Sequence, residues 1–175
     1  GTLKLNVNRE KSRIGSTVKH KFLGFSLYKT GKKTGIRPHH KPLETFKKRI
    51  RKIASRRRGR ATSQILQETK VFTRGWLGYY AIADMRGRIS ELNEWIRRRI
   101  RQYMWKQWKK ISAKFRNLKQ LGIPKKLAWM WANTRLGYWR TAGSPILTRS
   151  LTNEYLVSIG YDDISVRYEA LHQNH

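Results

Sequence analysis

The side chains with most chemistry to offer in this sequence are basic, and they come in runs. Lys47-Lys48-Arg49, Arg51-Lys52, Arg56-Arg57-Arg58 with Arg60, Arg97-Arg98-Arg99 with Arg101, Lys106, Lys109-Lys110 and Lys125-Lys126 are the densest. Guanidinium and ammonium groups at that density make charge-assisted hydrogen bonds to phosphate oxygens. A second cluster, Thr134-Arg135-Leu136-Gly137-Tyr138-Trp139-Arg140, follows Trp129 and Trp131 and mixes rings with cations. That mixture suits single-stranded nucleic acid, whose bases stack on rings at about 1–3 kcal/mol each while arginines pair with phosphates. Trp129, Trp131 and Trp139 would serve equally as the core of a small domain.

Tyr161-Asp162-Asp163 sets two carboxylates side by side, the residue type that holds paired magnesium ions in nucleotidyl transfer. That arrangement needs a residue between the tyrosine and the first aspartate, and a β-hairpin to carry it. Here the triplet follows a predicted helix and Gly160, so it reads as solvated carboxylates behind a helix. There is no Gly-rich phosphate loop, no zinc-hydrolase helix and no convincing triad. The sequence has no Cys, and its five His (His20, His39, His40, His172 and His175) show no ligand spacing. The expectation is a chain with no catalytic residue, no metal site and no cofactor of its own.

Forty Lys and Arg against ten Asp and Glu give a formal net charge of +30 on 175 residues. A compact chain this basic repels itself, and a polyphosphate partner both relieves the repulsion and gains entropy from released counterions. Nucleic acid is therefore the expected partner, ahead of an anionic membrane surface. No apolar run approaches the about 18 residues of a membrane span, and Gly1-Thr2-Leu3-Lys4-Leu5 lacks a secretory pattern, so the chain reads as soluble and intracellular. Residues 1–60 carry +18, residues 61–140 carry +14 and residues 141–175 carry −2. The binding face belongs to the front and middle of the chain, and the tail does not follow phosphate along its whole length.

The elements that must present these groups follow from periodicity. Leu3, Leu5 and Val7 alternate as a strand, residues 8–12 supply turn chemistry, and residues 21–28 read as a second strand, together the edge of a sheet. Residues 30–35 read as a turn or linker, with Arg37-Pro38 and Lys41-Pro42 breaking regular structure and marking a domain boundary. A helical stripe of Leu43, Phe46, Ile50 and Ile53 then runs on to Gly59, with the basic residues on the opposite face. A second helix, capped by Thr62 or Ser63, carries Ile65, Thr69, Phe72, Trp76 and Tyr79 and stops near Ala83. In a third, capped by Ser90, Leu92, Trp95, Ile96, Ile100, Tyr103, Met104 and Ile111 face inward, and Arg97, Arg98, Arg101, Trp105, Lys106, Lys109 and Lys110 outward. Beyond this three-helix bundle come a helix over residues 113–121, another opened by Pro124, a loop over residues 134–140 and a closing helix over residues 147–158. The fold expected is mainly α: a short β edge, a three-helix bundle and a small helical basic module.

Several of these stretches, in order along the chain, resemble one family. Asn8-Arg9-Glu10-Lys11-Ser12 and Phe22-Leu23-Gly24-Phe25 are similar to the last palm motifs of group II intron reverse transcriptases. Arg37-Pro38 with the basic helix, Arg74-Gly75-Trp76, Tyr79-Tyr80, residues 95–101, the Trp105/Trp108 pair and Leu136-Gly137-Tyr138-Trp139-Arg140 resemble the maturase-specific region of the same proteins. The resemblance implies the end of a palm over residues 1–35, a thumb (domain X) over 36–112 and a DNA-binding domain over 113–175. It implies an RNA grip for splicing and, in the same groove, a hold on the template–primer duplex, with Lys11 as the palm lysine and Phe22-Leu23-Gly24 near the primer end. Catalytic aspartates and their magnesium lie upstream in the family, so this chain is expected not to polymerise DNA alone. Without Cys it resembles the endonuclease-lacking bacterial lineage, which implies a bacterial cytoplasmic location.

Assembled, the candidate RNA-binding residues are Lys11, Arg37, Lys47, Lys48, Arg51, Lys52, Arg56, Arg57, Arg58, Arg60, Arg97, Arg98, Arg101, Lys106 and Lys109. The candidate DNA-binding residues are Lys125, Lys126, Arg135, Tyr138, Trp139 and Arg140. Expected partners are group II intron RNA, target DNA and a template–primer duplex, with no membrane. A non-enzymatic RNA-binding component of a ribosome or ribonucleoprotein is the alternative that the charge allows.

Overall fold

The computed structural model describes residues 21–55, 57 and 59–173. The strand and turn read over residues 3–12, and the candidate residues Lys11, Arg56 and Arg58, lie outside the described residues.

Three short strands, β1 (Lys21–Phe22), β2 (Phe25–Thr30) and β3 (Lys33–Pro38), form an antiparallel sheet in that order. The stretch 21–28 is thus two strands, not one. Leu23 and Gly24 take φ of 49° and 84° and reverse the chain between paired Phe22 and Phe25, the positive-φ pair that a tight two-residue hairpin requires. The supposed linker is the second hairpin, and Arg37 and Pro38 complete β3. Tyr28 lies across its partner Gly35, where a Cβ would come within 2.4 Å of the ring, so the glycine makes room for the tyrosine.

The sheet docks on the end of a helix. Of the helices α1 (His40–Ile53), α2 (Thr62–Tyr80) and α3 (Arg86–Gln107), α2 supplies Tyr79, whose hydroxyl donates to the Leu23 carbonyl at 2.9 Å. Phe25 packs on the Tyr79 and Tyr80 rings at 5.4 and 5.1 Å, and the Asp84 N–H donates to the Ile36 carbonyl at 2.7 Å.

Phe46, Ile50 and Ile53 bury the apolar stripe of α1, which ends at Ile53, short of Gly59. α2 begins at Thr62, where the Ala61 N–H donates to the Gln64 side chain. α3 starts at Arg86, four residues before the expected cap Ser90, and buries Ile89, Leu92, Ile96, Ile100, Tyr103 and Met104. Two residues assigned to its outer face, Arg101 and Trp105, are buried, whereas Ile111 starts the next helix and is exposed.

The remaining helices are α4 (Ile111–Gln120), α5 (Lys125–Ala132), α6 (Tyr138–Ala142), α7 (Pro145–Ser150), α8 (Asn153–Ser158) and α9 (Ile164–His172). The predicted closing helix is broken into α7 and α8. Leu151 is fully buried and its carbonyl accepts the Arg101 Nε–H at 2.7 Å, while Thr152 starts α8 by accepting the Tyr155 N–H. The loop 134–140 becomes helical at Tyr138.

The sequence reading missed α9, and it overturns the view of the tail carboxylates as solvated. Asp163 caps α9 by accepting the N–H groups of Ser165 and Val166, and it also accepts from Asn93 and Arg97. Asp162 receives two bonds from Arg74, at 2.8 and 3.1 Å, and Glu169 two from Arg86. Tyr161 is buried with its hydroxyl on Asn93 Oδ1, and Tyr168 donates to the Ala83 carbonyl. One continuous set of buried side chains runs from Phe46 of α1 to Tyr168 of α9.

Candidate nucleic-acid interface

α1 carries Lys47 and Arg51 four residues apart, and α3 carries Trp95 and Arg99 at the same interval, so each pair shares a helix face. Packing brings the two faces together. Lys47 Nζ lies 5.8 Å from the centre of the Trp95 ring, and the guanidinium carbons of Arg51 and Arg99 each lie 5.5 Å from it. Arg99 is also 5.3 Å from the Trp139 ring of α6, and Arg98 is 4.2 Å from that ring. Lys106 lies over Tyr138 at 5.2 Å. The result is a ladder of cations and rings that crosses α1, α3 and α6.

Its electrostatics are unbalanced. Among the described residues no carboxylate lies within ion-pair distance of Lys47, Arg51 or Arg99. Arg99 donates to Gln102 Oε1 at 2.6 Å, but its Nε is buried with no hydrogen-bond partner among the described residues. Burial, and after it the neighbouring Arg51, lowers the Arg99 pKa, so this packing works against a charge that an arginine keeps at neutral pH. Holding the partly buried Arg99 beside Arg51 is unfavourable until an anion joins them. A phosphate is the anion whose geometry an arginine fork matches. On the hairpin side, Lys47 also lines a cleft of about 600 Å³ with Arg37, Arg88 and His40, where Glu44 and Asp84 add negative charge.

The other candidates divide sharply. Arg98 is a latch: its Nε and Nη2 donate to the Trp139 carbonyl at 3.2 and 2.9 Å, and a Cβ at Gly143 would approach it to 2.7 Å. Arg101 is interior, bonded to Leu151 O and Asn153 Oδ1, and Arg97 is paired with Asp163 at 3.2 Å. Arg60 pairs with Glu68, and its carbonyl accepts from Tyr103 and Gln107. Lys48, Lys52, Arg57, Lys109, Arg135 and Arg140 are exposed, and Arg37 extends beside the Tyr28 ring at 5.9 Å. Lys125 and Lys126 lie apart from the ladder, beside Phe115 and Trp129.

Thus Lys47 and Arg51, picked for RNA, and Trp139, picked for DNA, meet in one structure. Trp95 and Arg99 are the members that sequence reasoning missed. Their four-residue spacing is visible, but the inward stripe of α3 places Trp95 in the core, whereas it is only half-buried. Asp162 and Asp163 do not fit a magnesium pair, being committed to Arg74, Arg97 and the start of α9.

A mainly helical body with a long basic, ring-studded face defines a nucleic-acid-binding protein of the helical-bundle type. Residues 43–122, from α1 through α4, match the family described as group II intron, maturase-specific domain. The chain therefore carries the maturase-specific domain of group II intron proteins, and with it a maturase role in the splicing of such introns. A comparison with curated proteins gives no match. No described helix is long and apolar enough to cross a membrane.

Proposed function

We propose that the ladder Lys47–Arg51–Trp95–Arg99–Trp139 is the surface by which this chain grips group II intron RNA and holds it in a splicing-competent shape. The carrying observation is the set of three cations gathered on two indoles, Arg99 among them partly buried, with no carboxylate within ion-pair distance among the described residues. The supporting observation is that all but Trp139 lie inside the matched segment. The same face, running toward the β1–β2 turn, suits a template–primer duplex during reverse transcription by a longer protein whose magnesium-binding aspartates lie elsewhere. Target DNA is assigned to Arg135, Tyr138 and Arg140, on and before α6.

Binding of the chain to a structured group II intron RNA, to transfer RNA and to random duplex, over a salt titration, tests this. About six phosphate contacts give a slope of log affinity on log salt of roughly −4 to −5. A preference for intron RNA that survives high salt, and is lost in Lys47→Gln/Arg51→Gln/Arg99→Gln, is the expected result. Equal affinity for all three nucleic acids, or a preference that the triple variant leaves intact, would sink it.

A further inference from the structure

A second aromatic site stands apart from the ladder. Phe115 of α4 meets Trp129 of α5 edge to face, with centroids 5.8 Å apart and planes at 83°, and the two line a cleft of about 440 Å³ with Lys125 and Lys126. Trp129 is 59% exposed, too open to be core. The perpendicular contact means that Phe115 does not stack flat on the indole, and among the described residues no cation lies over it, unlike Trp95, Trp105 and Trp139. The cations stand at the rim instead, with Lys119 5.8 Å from the Phe115 ring.

The surroundings fix the charge of the occupant. Between Glu94 and Glu154 the sequence has 15 Lys and Arg and no carboxylate. A second copy of this chain, itself at +30, is repelled, and an occupant must be flat and anionic together. Phe115 and Lys119 also fall inside the maturase-specific segment, which ends at residue 122, while Trp129 lies just past it.

We infer that this cleft seats an unpaired nucleotide of the intron RNA, its base stacked on Trp129 and its flanking phosphates on Lys125 and Lys126. The inference rests on the reading that the chain binds that RNA. It gives the RNA surface a single-strand subsite beyond the matched domain, distinct from the ladder.

The test compares wild type with Trp129→Ala, Trp129→Phe and Lys125→Gln/Lys126→Gln. The probes are an oligouridylate of about ten nucleotides, an oligothymidylate of that length and a blunt RNA duplex. Trp129→Ala should weaken oligouridylate binding at least about fivefold, with Trp129→Phe retaining most of it and duplex binding unchanged. The double lysine variant should flatten the salt slope for oligouridylate by roughly 1.4. In a 4-thiouridine-substituted strand the crosslinked peptide should contain Trp129, which decides the matter should the alanine variant misfold. Unchanged oligouridylate binding in the alanine variant, equal losses on strand and duplex, or a crosslink elsewhere would overturn the site. Tighter Trp129-dependent binding of oligothymidylate would overturn the assignment to RNA. None of these arms uses intron RNA or alters the ladder, so failure here and failure of the maturase grip are separable.

Discussion

Arg99 and Arg101 are two residues apart on α3 and have opposite fates. Arg101 turns inward, satisfied by Leu151 O and Asn153 Oδ1; Arg99 stays at the surface edge with a buried Nε lacking a partner among the described residues. Replacing Arg101 by Met should therefore cost about 1–3 kcal/mol of folding stability, because the Leu151 carbonyl loses its donor inside the core. Urea denaturation measures that, and a loss below a few tenths would refute the structural role. Arg99→Gln should do the reverse. It removes a cation that its surroundings disfavour, so stability should hold or rise, while intron RNA binding weakens and the salt slope flattens by roughly 1. Sequence alone could not separate these two arginines, since the same run of basic residues covers both faces of a helix. Which face is inner depends on α6 to α9, packed from a distant part of the chain.

Among elements, α9 carries the lesson. Its apolar residues Ile164, Tyr168 and Leu171 follow helical spacing, and Asp163 is a good cap, so the helix itself was legible. The acidic triplet before it reads as solvated because its partners Arg74, Asn93 and Arg97 are 66 to 88 residues away, beyond any local pattern. Helices α1, α2, α4 and α5 were legible for the opposite reason, each announced by its own stripe and by breakers such as Gly122 and Pro124. The β1–β2 turn was not, because Leu23 takes a positive φ that its residue type does not advertise. The α9 clasp also has a pH signature. The Arg74 guanidinium bonded to Asp162 holds that carboxyl below its ordinary range, with burial working against it. A depressed carboxyl contributes stability above its unfolded pKa, and the contribution is lost as pH falls through the folded one. The pair is partly exposed, so Asp162→Asn should cost no more than about 0.5–1 kcal/mol at neutral pH, and the gap from wild type should narrow as pH falls below about 4. A gap that does not narrow with falling pH would mean that the charge is not what holds α9.

For the whole molecule, a charge of +30 sets the terms of stability. The internal ion pairs neutralise only a few arginines, so most of the charge is unbalanced in the folded state. Raising monovalent salt should therefore raise the melting temperature, by roughly a few degrees, by screening self-repulsion. A fall in melting temperature would show that the α9 ion pairs outweigh it. The clasp has one more effect, on the order in which the protein forms. Contacts inside α1, α2 and the hairpins are local and quick to make, but those to α9 join residues up to 91 positions apart and must wait for a large loop to close. While a ribosome is still making residues 161–172, Arg74, Arg86 and Arg97 are bare. The emerging chain is then more cationic on α2 and α3 than the finished one, and α9 docking is the step that completes it.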